Sequence, residues 1–179
     1  GDTIGMTQLS SETIGIAGYN AALDPTTGKV YGYYGVTGSC AWGTADYSTL
    51  QVTPIKSISY TDAMVYLACD ETGQFYGIDP DLNLCKIDKL SGDVQVIGAT
   101  GIPHQYIGGA MINAKDHTMI ITYCTDTNGG MYEINLETGA GTHVCDFPTN
   151  TEVMNLWPGA ALATEKAPVA PELTVTAPN

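Results

Sequence analysis

"LCKIDKLSGDVQVIG", Leu84 to Gly98, and "MYEINLETGAGTHVC", Met131 to Cys145, spell one pattern twice. Each is two short runs of period-two alternation separated by a Ser/Thr-Gly turn, which is how a β-hairpin reads. Leu84 to Met131 is a step of 47 residues, and Gly92 to Gly139 is the same step. A hairpin that returns at constant spacing belongs to a longer repeat.

The rest of that repeat lies upstream of the hairpin. "AALDPTTGKVYGYYG" from Ala21, "YLACDETGQFYGID" from Tyr66 and "AMINAKDHTMIITYC" from Ala110 align with steps of 45 and 44, placing Gly28, Gly73 and His117 at one turn position. Each unit then holds four apolar or alternating runs, A to D. In the second they are Ala63–Cys69, Gln74–Ile78, Leu84–Asp88 and Val94–Gly98. The third gives Gly109–Asn113, Met119–Tyr123, Met131–Asn135 and Thr142–Phe147, and the first gives Asn20–Leu23, Lys29–Tyr34, Cys40–Thr44 and Leu50–Ile55. Turns such as "DPTTGK", "DETGQ" and "KLSGD" place an Asx or Ser group early and Gly late, which suits a type I turn closed by a left-handed residue. No window of eleven or more carries apolar residues at helical spacing.

Four strands per forty-odd residues, repeated, is the pattern of propeller blades. The expected fold class is all-β, a β-propeller of four-stranded antiparallel blades with three full repeats and partial blades at both ends. The phrasing "FYGIDPDLNLCKIDKLSGDVQVIG" resembles the blade repeats of secreted bacterial propeller proteins, over roughly Asn20 to Phe147. It departs from WD40, having no G-H and W-D dipeptides, and from kelch, with paired glycines only at Gly108-Gly109 and Gly129-Gly130.

Residues 1–18 read as a partial blade, a C-to-D hairpin, and 19–163 as the propeller repeats and a final strand. Paired, the two ends would make a fourth blade; a four-bladed ring is at the small limit of the architecture, so the reading favours a piece of a larger ring. Residues 164–179 carry three prolines, two ahead of the run "ELTVT" and one after it. They resemble the linker and first strand of a fibronectin type III or immunoglobulin-like module.

Nineteen Asp and Glu against six Lys and Arg give a net charge of −13. That field repels phosphate backbones and anionic lipid, and no run is apolar and long enough for a membrane span, so neither nucleic acid nor membrane insertion is expected. The expected location is secreted, periplasmic or cell-surface, with a signal or anchor removed ahead of Gly1. The five cysteines are an odd number without C-x-x-C spacing, each in or beside an apolar run, where Cys packs as a small hydrophobe.

No phosphate loop, dinucleotide fingerprint, nucleophile elbow or zinc-protease helix occurs. Asp79, Asp81 and Asn83 have the 1, 3, 5 spacing of a calcium loop, but Leu84 and Leu90 stand at positions six and twelve; Asp126 and Asn128 form a second, equally broken candidate. Ordinary Asx turns account for both, and no cofactor is expected beyond that calcium test. Aromatic residues carry the binding reading, because sugars and peptide side chains bind on flat ring faces. Alternation puts Tyr31 and Tyr33 on one face as packing residues. Tyr34 and Trp42 bracket the B-to-C loop "GVTGSC", while His104, Tyr106 and Trp157 lie near D-to-A connections on the same expected face.

These observations lead to a non-catalytic binding or scaffolding module that recognises glycan or protein through one face. A fragment of a propeller glycan hydrolase or lyase is the alternative, but the A strands carry almost no carboxylate before their ends. A spacer without a ligand is the third reading.

Overall fold

The computed structural model describes residues 17–36, 39–46, 49, 51–103 and 108–148. The expected partial blade at 1–18, the final strand and the 164–179 segment lie almost wholly outside them. Twelve strands form three antiparallel sheets, each built of four strands in chain order. Blade I comprises β1 (Ala17–Leu23), β2 (Val30–Val36), β3 (Ser39–Asp46) and β4 (Gln51–Ile58). Blade II comprises β5 (Tyr66–Cys69), β6 (Phe75–Ile78), β7 (Asn83–Ile87) and β8 (Val94–Ala99), and blade III β9 (Ala110–Asn113), β10 (Thr118–Cys124), β11 (Gly129–Asn135) and β12 (Gly141–Asp146). All twelve expected strands are present. The strand foreseen at Ala63–Cys69 is shorter, because a 3₁₀ turn over Tyr60–Asp62 precedes it.

Strand β5 neighbours both β1 and β9, so the first strands of the three blades line a common inner edge and the sheets stack face to face around it. Asn20 on β1 ties that edge, its side-chain amide donating to the carbonyls of Met64 and Val65 at 3.0 Å each.

Alternation then decides what fills each seam. From blade II, Leu67, Phe75, Cys85 and Ile87 face blade I and pack with Tyr31, Tyr33, Cys40 and Trp42. The intervening residues Tyr66, Ala68, Tyr76 and Leu84 face blade III and pack with Ile112, Met119, Ile121 and Ile134. Both faces of blade II are therefore covered, and its inner strands read as continuous apolar runs.

The turns follow the chemistry read from sequence. The Asp24 carboxylate accepts from the amide and hydroxyl of Thr26, and Asp70 accepts from the amides of Thr72 and Gln74. Gly28 and Gly73 close those turns at φ +70° and +83°, and His117 takes the same conformation at φ +53° in blade III.

Each blade also carries a bulge at the same place. The register shifts just after the pair Trp42–Lys56 in blade I, Leu84–Gly98 in blade II and Met131–Cys145 in blade III. The bulge twists each outer edge strand away from flat pairing. It also fixes which residues of successive blades are equivalent.

Candidate functional site

Equivalent positions build two different seams. Between blades II and III the seam is closed by backbone. Gly98 has no room for a Cβ against the Thr138 carbonyl, Gly139 (φ +82°) lies against Gly98, and the Gly141 amide donates to the Thr100 carbonyl at 2.9 Å. Ile102, 4% exposed, then fills the wedge beside Gly141.

Between blades I and II, Lys56 replaces Gly98 and Tyr60 replaces Ile102. The Lys56 stem lies against Gly92, and its ammonium reaches the Asp93 carboxylate at 2.7 Å and the Gly92 carbonyl at 3.4 Å. That contact holds Asp93 below the ordinary carboxylate range, through the Lys56 hydrogen bond first and the Ser91 hydroxyl second. Tyr60 is turned out and 44% exposed. What remains is a groove of about 690 Å³, lined by Tyr33, Lys56, Ile58, Ser59, Asp62 and Val94 among others.

The groove is lined by Tyr33, Ile58 and Val94 on the apolar side and by Lys56, Ser57, Ser59, Asp62 and Asp93 on the polar side. Ile58 stands opposite Cys40 on the side of β4 that faces blade II. Val94 and Val96 stand opposite Ile87 and Cys85, so the wall continues from the core outward along β8 to Val96, which is 57% exposed. Tyr33 forms the floor. Burial first, and then the Cys85 and Cys40 sulfurs, push its hydroxyl far above the ordinary tyrosine value, which keeps it neutral. Ser59 caps the 3₁₀ turn by accepting from the Thr61 amide, and this positions Asp62 at the far end.

The same seam carries a latch between the β1–β2 and β7–β8 turns. The Lys89 ammonium meets the Asp24 carboxylate at 2.6 Å, and the Trp42 indole donates to the Lys89 carbonyl at 3.2 Å. A depression of about 300 Å³ over Thr72, Gly73 and Lys89 sits beside this latch.

The structure corrects two of the expected site residues. Tyr34 and Trp42 are both 0% exposed. Strand β2 runs on to Val36 and β3 begins at Ser39, so Tyr34 pairs with Ala41 inside the ladder instead of flanking a loop. Trp42 sits on the face toward blade II with ring centroids 5.1 Å from Tyr33, 5.8 Å from Tyr31 and 5.5 Å from Phe75. Neither ring presents a face to a ligand. His104, Tyr106 and Trp157 lie outside the described residues. Of the calcium candidates, both Asp79 oxygens accept from the Asn83 side-chain amide, and the Asn128 backbone N–H donates to the Thr125 hydroxyl, as in ordinary turns. Among the described residues no group of three or more His, Cys, Asp or Glu could hold a metal ion.

Sequence reading overlooked Lys56, Tyr60 and Asp62. The signal was a departure from the repeat: lysine where blade II has Gly98, and tyrosine where it has Ile102.

Stacked four-stranded sheets whose inner strands adjoin one another make this a β-propeller fold. The chain is similar in structure to a chain in the crystal structure of a nidogen/laminin complex, with a TM-score of 0.54 and 15% identity over 74% of this chain and 49% of that one. It is also similar to a structural genomics protein of unknown function from Bacteroides thetaiotaomicron, with a TM-score of 0.51 and 17% identity over 70% of this chain and 32% of that one. The chain thus spans half or less of the length of the structures it matches. No curated protein sequence matches it. The family described as a domain of unknown function (DUF4394) matches residues 13–156, and the chain belongs to that family.

Proposed function

We propose that this chain is part of a β-propeller that serves as a non-catalytic binding or scaffolding domain of a secreted or cell-surface bacterial protein, recognising glycan or protein. The observation that carries the reading is the seam between blades I and II. The same repeat position is closed by glycine backbone in the next seam, and here a lysine stands beside a groove lined by both apolar and charged side chains. A concave site that combines apolar surface with convergent polar groups is the usual form of a binding pocket.

Further support comes from the charge and the inner strands. A net charge of −13 favours neutral or cationic ligands. The inner strands β1, β5 and β9 carry no carboxylate, whereas a glycosidase needs a pair of them across its substrate.

The test is a binding screen of the full chain against soluble polysaccharides and extracellular proteins, with melts in calcium and in chelator. A saturable interaction abolished by the double variant Lys56→Gly, Tyr60→Ile, which copies the closed seam, supports the reading. Shortening of a polysaccharide, or no saturable partner at all, overturns it.

A further inference from the structure

We propose that the groove between blades I and II takes the apolar side chain of an extended peptide segment, seated where Ile102 sits in the next seam, with a lysine or arginine of that segment on Asp62. This rests on the groove being a binding site and names its class of ligand.

The closed seam is the template. There the segment Thr100–Gly101–Ile102 runs into the wedge: the Thr100 carbonyl accepts from Gly141, the Thr100 hydroxyl donates to the Leu82 carbonyl at 2.7 Å, and Ile102 is buried beside Ile134. In the open seam the equivalents of Thr100 and Gly141 are Ile58 and Val94, both lining the groove. Tyr60, which stands at the repeat position of Ile102, is 44% exposed and does not line the groove.

The lining discriminates between ligand classes. A sugar ring needs an open aromatic face, yet Tyr33, the ring that lines the groove, is buried and packed 5.1 Å from the Trp42 ring. Ile58 and Val94 offer branched aliphatic surfaces instead, which fit an aliphatic side chain, while Ser57, Ser59 and Asp62 beside them can bond the backbone and the cation of a peptide. Lys56 is taken by Asp93, so the charge that the lining carries beyond this pair is the Asp62 carboxylate. A cation beside the anchor therefore completes the fit, and the acidity of the whole chain steers it inward.

The test is a methyl and amide NMR titration of the full chain with a blocked peptide, Ala-Thr-Gly-Ile-Pro-Lys, patterned on the plug of the closed seam. Expected are saturable shifts centred on Ile58, Val94 and Asp62. Changing the peptide's isoleucine to serine should weaken binding about tenfold, the scale of one lost aliphatic anchor. Tyr60→Ile should abolish binding by plugging the groove. Val94→Lys, at an exposed position, should weaken it without affecting the fold. No saturable shift, or binding indifferent to both variants, overturns the proposal. If a polysaccharide or protein from the wider screen binds while the peptide does not, the binding domain stands and the peptide class falls.

Discussion

Asp24 and Lys89 form an ion pair of 2.6 Å across the seam between blades I and II, with the carboxylate wholly buried. Asp24 belongs to the β1–β2 turn and Lys89 to the β7–β8 turn, so the bond ties two loops 65 residues apart. Burial alone would raise the Asp24 pKa. The Lys89 ammonium, the hydroxyls of Thr26 and Thr27 and the Thr26 amide outweigh burial and hold it far below the ordinary value of 3.8.

The sign of the pH effect follows. Because the folded pKa is depressed, the unfolded chain binds more protons in acid, and the stability present above the ordinary carboxylate value is lost as pH falls toward the folded one. Thermal melts should show the wild-type Tm falling between about pH 4 and pH 2, with Asp24→Asn reducing that slope. Lys89→Met should lower the Tm at neutral pH, since it leaves a buried carboxylate with hydroxyl and amide partners only. Equal acid slopes in wild type and Asp24→Asn would remove Asp24 as the source.

Trp42 is the centre of the same seam. Its ring contacts Tyr31, Tyr33 and Phe75, and its indole N–H is bonded to Lys89. Trp42→Ala should cost about 3–5 kcal/mol, the range for deleting a large buried aromatic side chain, and Trp42→Phe distinctly less. Urea unfolding followed by circular dichroism would measure both. A loss under about 1 kcal/mol, as for surface positions, would put the ring outside the core.

That Tyr34 and Trp42 read as loop-flanking while Tyr31 and Tyr33 read as packing residues is a matter of what alternation encodes. Period two put Tyr31 and Tyr33 on a single face, and both pack in the seam. It also marked the paired runs of every hairpin, so strands as exposed as β8 and β12 were legible. Alternation does not say whether the opposite face is covered as well, and Tyr34 on that face is just as buried. The stretch between Tyr34 and Trp42 reads as a loop by its glycines, whereas β2 runs on to Val36 and β3 begins at Ser39. The groove was legible only in part: Lys56 against Gly98 is a difference between letters, but the prop it makes depends on where Asp93 and Gly92 stand across the seam.

Two glycines separate backbone conformation from packing. Gly28 and Gly139 both have positive φ, +70° and +82°. A Cβ on Gly28 would meet nothing within 4 Å, whereas one on Gly139 would stand 2.5 Å from the Gly98 carbonyl oxygen. Gly28→Ala should therefore cost about 1–2 kcal/mol, the strain of a left-handed residue alone. Gly139→Ala should cost more and open the seam between blades II and III, read as faster amide exchange at Gly141, whose N–H is bonded to Thr100. Equal costs for the two variants would show that the seam is not tightly closed.

The five thiols should report the same burial by chemistry. Cys40 and Cys85 are buried in the first seam, Cys69 and Cys124 are partly buried, and Cys145 is exposed on β12. Only thiolates react readily with alkylating agents, so both access and pKa control the rate. Burial pushes the Cys69 thiol up to about 12, with the Asp24 and Asp70 carboxylates adding to it. Burial likewise pushes Cys85 up to about 12, with Asp79 adding to it. Burial raises Cys40 as well. Iodoacetamide near neutral pH should therefore modify Cys145 first, and Cys40 and Cys85 only at the rate of global unfolding. Peptide mass mapping over a time course, with and without urea, would read the order. Because Cys40 and Cys85 face each other's blades beside Tyr33, Trp42→Ala should bring their labelling forward together. Early labelling of either one alone in the wild type would mean that this seam opens locally without the fold unfolding.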